Sequence, residues 1–269
     1  MIISACTDEI SHDLEVALDV LTEEGIEYLD LRGIWGKNVT GLDDDEAAKA
    51  KDMIERRGFQ VTAISTPIGK TQITDDFEPD IARFQRALEL ATLLGAPYVR
   101  VFSYYVADAE AETFRGEALN RLRHLCTMAQ PHNIVLAHEN EEGGFCAWRP
   151  EECVAFHQAL PDNFRALFEP CSFAVMNYEP AVDALPQLRP YIAYVHVRDT
   201  ERGTTRYGVV GEGDVGWREI LSELKQSGFQ GYLTLEPHLQ WANRNATDAD
   251  RTASFRRATQ ALRHMLNDL

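Results

Sequence analysis

One pattern recurs along the chain: an amphipathic stretch, a glycine, then a short run of apolar and β-branched residues that ends in polar ones. It occurs as Leu14 to Glu24, Gly25 and Ile26 to Leu31, and again as Glu46 to Arg57, Gly58 and Gln60 to Ser65. A third copy is Ile81 to Leu94, Gly95 and Tyr98 to Phe102, and a late one is Trp217 to Ser227, Gly228 and Tyr232 to Glu236. In the third copy Ile81, Phe84, Leu88 and Ala91 recur at three- or four-residue intervals, which puts them on one helix face ready to pack on a sheet. Each glycine stands where a helix ends in a left-handed residue. Helix and strand alternate, so the predicted sheet is parallel.

The less regular middle of the chain completes a set of eight strands. They are Ile2 to Cys6, Ile26 to Leu31, Gln60 to Ser65, Tyr98 to Phe102, Ile134 to His138, Ala166 to Phe168, Ile192 to Val197 and Tyr232 to Leu235. A unit of about 34 residues fits a strand, a helix and short loops, and eight such units close a (β/α)8 TIM barrel. An open doubly wound sheet would also alternate, but no glycine-rich phosphate loop follows any of these strands. With no linker rich in proline, glycine or serine, residues 1–269 read as one barrel domain.

Charge narrows the partners. Lys and Arg number 26 against 43 Asp and Glu, a formal charge of −17. Such a surface repels nucleic-acid backbones and anionic lipid, so neither is an expected partner. The 5 cysteines form no CxxC pair and are odd in number, which points to free thiols in a reducing cytoplasm. No apolar run of about 18 residues spans a membrane, and the N-terminal apolar run is too short for a signal peptide.

In a (β/α)8 barrel the reacting groups come from the C-terminal ends of the strands. The last four strands end in His138-Glu139-Asn140, Glu169-Pro170, His196-Val197-Arg198-Asp199 and Glu236-Pro237-His238. Each supplies a carboxylate or an imidazole to one face of the barrel. Three buried carboxylates at one mouth need a cation or protons to coexist. Three oxygens and one nitrogen suit Mn²⁺, with Mg²⁺ and Co²⁺ as alternatives, better than a thiolate-seeking ion.

These segments, with Gly211-Glu212-Gly213-Asp214-Val215-Gly216-Trp217, resemble the xylose isomerase-like barrel family of sugar isomerases, ketose 3-epimerases, 2-keto-myo-inositol dehydratase and the endonuclease IV branch. The resemblance spans essentially the whole chain. It implies that Glu139, Glu169, His196 and Glu236 bind one metal, that Glu139 and Glu236 double as the acid/base pair, and that Arg202 touches a substrate oxygen. It also implies a homodimer or homotetramer. Two positions depart from the pattern: Glu169 stands where Asp is usual, and Ser172 where the epimerases place a histidine. The DNA-repair branch needs histidines where Arg32 and Lys70 stand.

A metal on a carbonyl and its neighbouring hydroxyl makes the adjacent C–H acidic enough for a carboxylate to remove. Reprotonation then isomerises or epimerises, whereas loss of a β-hydroxyl dehydrates. The expected substrate is a small polyhydroxylated compound. Trp35, Lys70 and Trp148 are expected to line its pocket, Arg100 to serve a structural polar network, and Asp199 to orient His196. A lyase acting on a keto-sugar, keto-acid or keto-inositol shares every one of these ligands. A non-catalytic sugar-binding barrel is the reading from another class.

Overall fold

A computed structural model describes residues 1–239 and 246–269. Eight parallel strands close into a barrel: β1 (Ile2–Cys6), β2 (Tyr28–Leu31), β3 (Gln60–Ser65), β4 (Tyr98–Val101), β5 (Val135–Glu139), β6 (Phe164–Phe168), β7 (Ile192–Val197) and β8 (Tyr232–Leu235). Neighbours in sequence are neighbours in the sheet, and β8 pairs back onto β1 with Ile2 opposite Tyr232. The chain therefore forms the (β/α)8 barrel that its periodicity predicts.

Helices α1 (Leu14–Glu23), α2 (Asp44–Arg56), α3 (Glu78–Leu94), α4 (Ala111–Ala129) and α5 (Pro150–Ala159) follow the first five strands. After β6 the repeat breaks into short pieces, α6 (Pro170–Val175) and α7 (Leu185–Leu188), where Pro170, Pro180, Pro186 and Pro190 each remove a backbone donor. That explains the weak pattern in the middle of the sequence. Helices α8 (Trp217–Gln226) and α9 (Asp248–Asn267) complete the ring. Among the described residues no helix is long and apolar enough to cross a membrane.

The recurring glycines do end helices. Gly25, Gly58, Gly95 and Gly228 all have positive φ. At Gly25 the next residue matters too: Ile26 N–H returns to Leu21 O at 2.9 Å and Gly25 N–H to Thr22 O at 3.0 Å. This double closure buries Ile26 against the helix it caps. Strand β2 consequently starts at Tyr28 rather than at Ile26 as expected.

Side chains alternate along each strand, and the alternation sorts the barrel. Val99, Val101, Leu136, Val195, Val197, Leu233 and Leu235 belong to the main apolar core. The intervening residues point inward, where Ala63, Ala137, Leu167 and Tyr194 form a small cluster of their own. One layer higher, towards the C-terminal mouth, the buried residues are polar: Asp30, Arg100, Glu139, His196 and Glu236.

Candidate metal centre and active site

Glu139 is the last residue of β5, His196 lies in β7, Glu236 directly follows β8, and Glu169 caps α6 immediately after β6. The closed ring brings one donor atom from each of the four within 4.8 Å of the others. His196 Nδ1 is the centre of the group: Glu236 Oε2 lies at 3.2 Å, Glu139 Oε1 at 3.3 Å and Glu169 Oε2 at 3.7 Å. Donors sharing an ion through bonds of about 2.1 Å sit about 3.0 Å apart at a right angle and about 3.6 Å apart at 120°. The four side chains fit a divalent cation on spacing and on donor chemistry.

The electrostatics agree. Burial pushes Glu169 up to about 8, with Glu236 and Glu139 adding to it and Arg198 and His196 opposing. Burial would also raise Glu139, but Arg100 and His196 hold it down at about 2. Glu236 lies well below the usual carboxylate range because His196, His238 and Arg32 outweigh its burial. His196 is driven well above the ordinary histidine value, against its burial, by Glu236 and Glu139. Protons on Glu169 and His196 thus balance charge that a divalent cation would neutralise.

Above this floor opens a cavity of about 660 Å³, lined by Glu139, Glu236, Arg32, Lys70, Arg100, Arg198, Tyr105, Phe145, Tyr207 and His238 among others. Its size suits a small ligand. Two arginines hold the carboxylates by one oxygen each. Arg100 Nη1 lies 3.0 Å from Glu139 Oε2, and Arg32 Nη1 donates to Glu236 Oε1. Arg32 is itself held by Asp8 Oδ2 at 2.8 Å and Glu9 Oε1 at 2.6 Å. His238 Nδ1 meets Glu9 Oε1 at 2.8 Å, which ties the end of β8 to the loop after β1. Arg100 is thus part of the cavity wall, not only of a structural network as the sequence suggested.

Other expected residues sit elsewhere. Lys70 does line the cavity, paired with Glu141 and lying over the Phe102 ring at 4.3 Å. Its loop is pressed onto the end of β4: a Cβ on Gly69 would stand 2.2 Å from Phe102 O, so only glycine fits. Trp148 is buried behind the wall against Phe102 and Phe145, its indole N–H donating to Asp108 at 3.3 Å. Trp35 packs against the core under Lys49, outside the lining.

Two residues stand elsewhere than the sequence led one to expect. Arg202 turns away and pairs with Glu179 at 2.8 Å, while Arg198 occupies the cavity, with Nε 3.0 Å from Glu169 Oε2 and Nη2 donating to Ser172 Oγ at 3.0 Å. Asp199 does not orient His196. Its carboxylate instead accepts the backbone N–H groups of Thr200, Gly211, Gly213 and Val215, at 2.8–3.2 Å. A Cβ on Gly213 would stand 2.3 Å from Asp199 Oδ1. The indole of Trp217 donates to Arg198 O at 2.9 Å. The glycine-rich segment before α8 therefore frames the loop that presents Arg198.

The comparisons with known proteins agree with this architecture. The model of the xylose isomerase-like TIM barrel family matches residues 18–263. No curated protein sequence matches the chain. Similar solved structures include the IOLI protein with a bound zinc atom, at 16% identity over 100% of this chain and 99% of that one, with a TM-score of 0.83. D-psicose 3-epimerase from Clostridium cellulolyticum H10 is 15% identical over 99% of each chain, with a TM-score of 0.78. The probable 3-DHS dehydratase AsbF from Bacillus anthracis is 19% identical over 95% of this chain and 98% of that one, with a TM-score of 0.75. At these identities the likeness establishes the fold.

Proposed function

Because the chain belongs to the xylose isomerase-like TIM barrel family, we propose that it is a divalent-metal-dependent enzyme that isomerises or epimerises a small polyhydroxylated carbonyl compound, a sugar or sugar acid. The observation that carries this reading is the meeting of Glu139, Glu169, His196 and Glu236 around one point, with Glu139 and Glu236 lining the cavity. These four would hold the ion. Mn²⁺ is the first to test, with Mg²⁺ and Co²⁺ next, and the zinc in the IOLI structure makes Zn²⁺ a comparison.

When bound, the ion supplies Lewis acidity at the substrate carbonyl and its neighbouring hydroxyl, which acidifies the C–H beside them. Glu139 and Glu236 both face the cavity; Arg100 and His196 keep the first ionised, and His196, His238 and Arg32 the second. One takes the proton at a carboxylate oxygen, and the electron pair left behind forms the C=C bond of the ene-diolate. Return of a proton to the neighbouring carbon isomerises; return to the other face, from the opposite carboxylate, epimerises. Tyr105, Phe145 and Tyr207 offer flat apolar faces to the sugar ring beside the cations of the wall.

A second reading is a lyase that expels a β-hydroxyl from a keto acid. It is favoured by Arg198 and Lys70, two cations on the wall suited to a carboxylate. Incubation of the Mn²⁺-loaded protein in D2O with ketoses and keto acids separates the two. Deuterium beside the carbonyl supports the isomerase, and loss of water with new ultraviolet absorbance supports the lyase. Glu139→Gln and Glu236→Gln are each expected to lower turnover by about 10²–10⁴-fold. Full turnover in both variants would sink the assignment.

A further inference from the structure

His196 presents Nδ1 to the three glutamates, and its other ring nitrogen faces the interior of the barrel. The carboxylate nearest Nε2 there is Asp30, whose Oδ2 lies 3.9 Å away. Asp30 is fully buried, and neither of its oxygens has a hydrogen-bond partner. A buried carboxylate without such partners costs several kcal/mol in general, so its position calls for a compensating role. The sheet is irregular at this point. The β2–β3 register slips between Leu29 and Asp30, so that Leu29 lies opposite Val61 but Asp30 opposite Ala63. Such irregularities re-aim side chains beside active sites.

A neutral imidazole carries one proton, so a ring that gives its Nδ1 lone pair to a cation holds that proton on Nε2. A carboxylate behind Nε2 selects this tautomer, orients the ring and makes Nδ1 a better donor. Cys6 also groups with Asp30 and His196, one ligand atom of each lying within 4.8 Å of the others. A thiol is a weak hydrogen-bond acceptor beside a carboxylate. Asp30 is therefore the stronger partner for an Nε2 proton.

We propose that Asp30 is the positioning residue of this site, accepting the His196 Nε2 proton so that Nδ1 is aimed at the point where Glu139, Glu169 and Glu236 meet. The proposal rests on the reading that these four residues hold a divalent ion. At 3.9 Å the pair is longer than a hydrogen bond, and a ring movement of about 1 Å closes it.

The test measures ion affinity and stability separately. Metal-stripped wild type, Asp30→Asn, Asp30→Leu and Glu139→Gln are titrated with Mn²⁺ and Co²⁺ by calorimetry, and the Tm of each metal-free protein is recorded. Asp30→Leu is expected to weaken both ions by about 10–100-fold. Asp30→Asn keeps an acceptor oxygen and should recover most of that loss. The metal-free Tm should stay level or rise in both, since a buried carboxylate has gone; a residue that only supports the fold would lower it. Unchanged affinity in Asp30→Leu alongside weakened affinity in Glu139→Gln overturns the role of Asp30 alone. Unchanged affinity in both, or no binding by wild type, overturns the four-residue metal site and the proposal with it. A second Co²⁺ per chain that Asp30→Leu abolishes would make Cys6, Asp30 and His196 a site of their own, and would also overturn it.

Discussion

Asn140 grips the main chain of Glu169 from both sides: its Oδ1 accepts the Glu169 N–H at 2.9 Å, and its Nδ2 donates to the Glu169 carbonyl at 2.7 Å. This clamp joins the ends of β5 and β6 and sets where the Glu169 side chain begins. Cys171 N–H then holds Oε1 at 2.8 Å, leaving Oε2 to face His196 and Arg198. Asn140→Ala leaves two buried backbone groups without partners and is expected to destabilise the fold by about 2–4 kcal/mol. Denaturant unfolding at neutral pH measures this, and a loss below about 1 kcal/mol would mean the clamp is dispensable.

Arg100 is the nearest cation to Glu139. It holds that carboxyl near 2 against the effect of burial. Replacing Arg100 by Gln removes a charge that lowers the value, so the Glu139 pKa rises and its basic form is lost sooner as pH falls. The acidic limb of the rate–pH profile should therefore move to higher pH, with the alkaline limb unmoved. An unchanged acidic limb would mean that Glu139 is not the base.

Glu169 carries a proton up to about 8 in the absence of a cation. Ion and proton compete for the same oxygens, and for the ring nitrogen of His196, which is also driven upward, so Mn²⁺ affinity should increase as pH rises through 8. Calorimetry in two buffers of different ionisation enthalpy should show net proton release on binding. Pure ion uptake without released protons would contradict the proposed ligand set.

His157, on α5, stacks on Tyr191 with ring centroids 5.1 Å apart. Burial, with Arg165 adding to it, lowers its pKa to about 4. The unfolded chain takes up this proton near 6.5 while the folded protein resists until about 4, so the unfolded state binds more protons between those values. Stability is full above about 6.5 and falls as pH drops through that window, by about 3 kcal/mol from this residue. His157→Phe should flatten that part of the stability profile. An equally steep acid loss in the variant would assign the effect elsewhere.

The local chemistry of the sequence determined the barrel, and it also placed the four central residues. Helix periodicity, a left-handed glycine at a helix end and strand alternation act over only a few residues, so they are legible without the fold. Alternation alone sends Glu139 and His196 inward, and the end of β8 puts Glu236 at the same mouth. The partners of these residues were decided by closure of the ring. Glu9 meets His238 across 229 positions, and Arg32 meets Glu236 across 204. Arg198 rather than Arg202 enters the cavity because Asp199 and Trp217 fix the loop between them. Asp30 arrives behind His196 by way of an irregular strand pair. Which charges neutralise one another in a buried layer depends on distances across the barrel, and a pattern read along the chain carries no record of those.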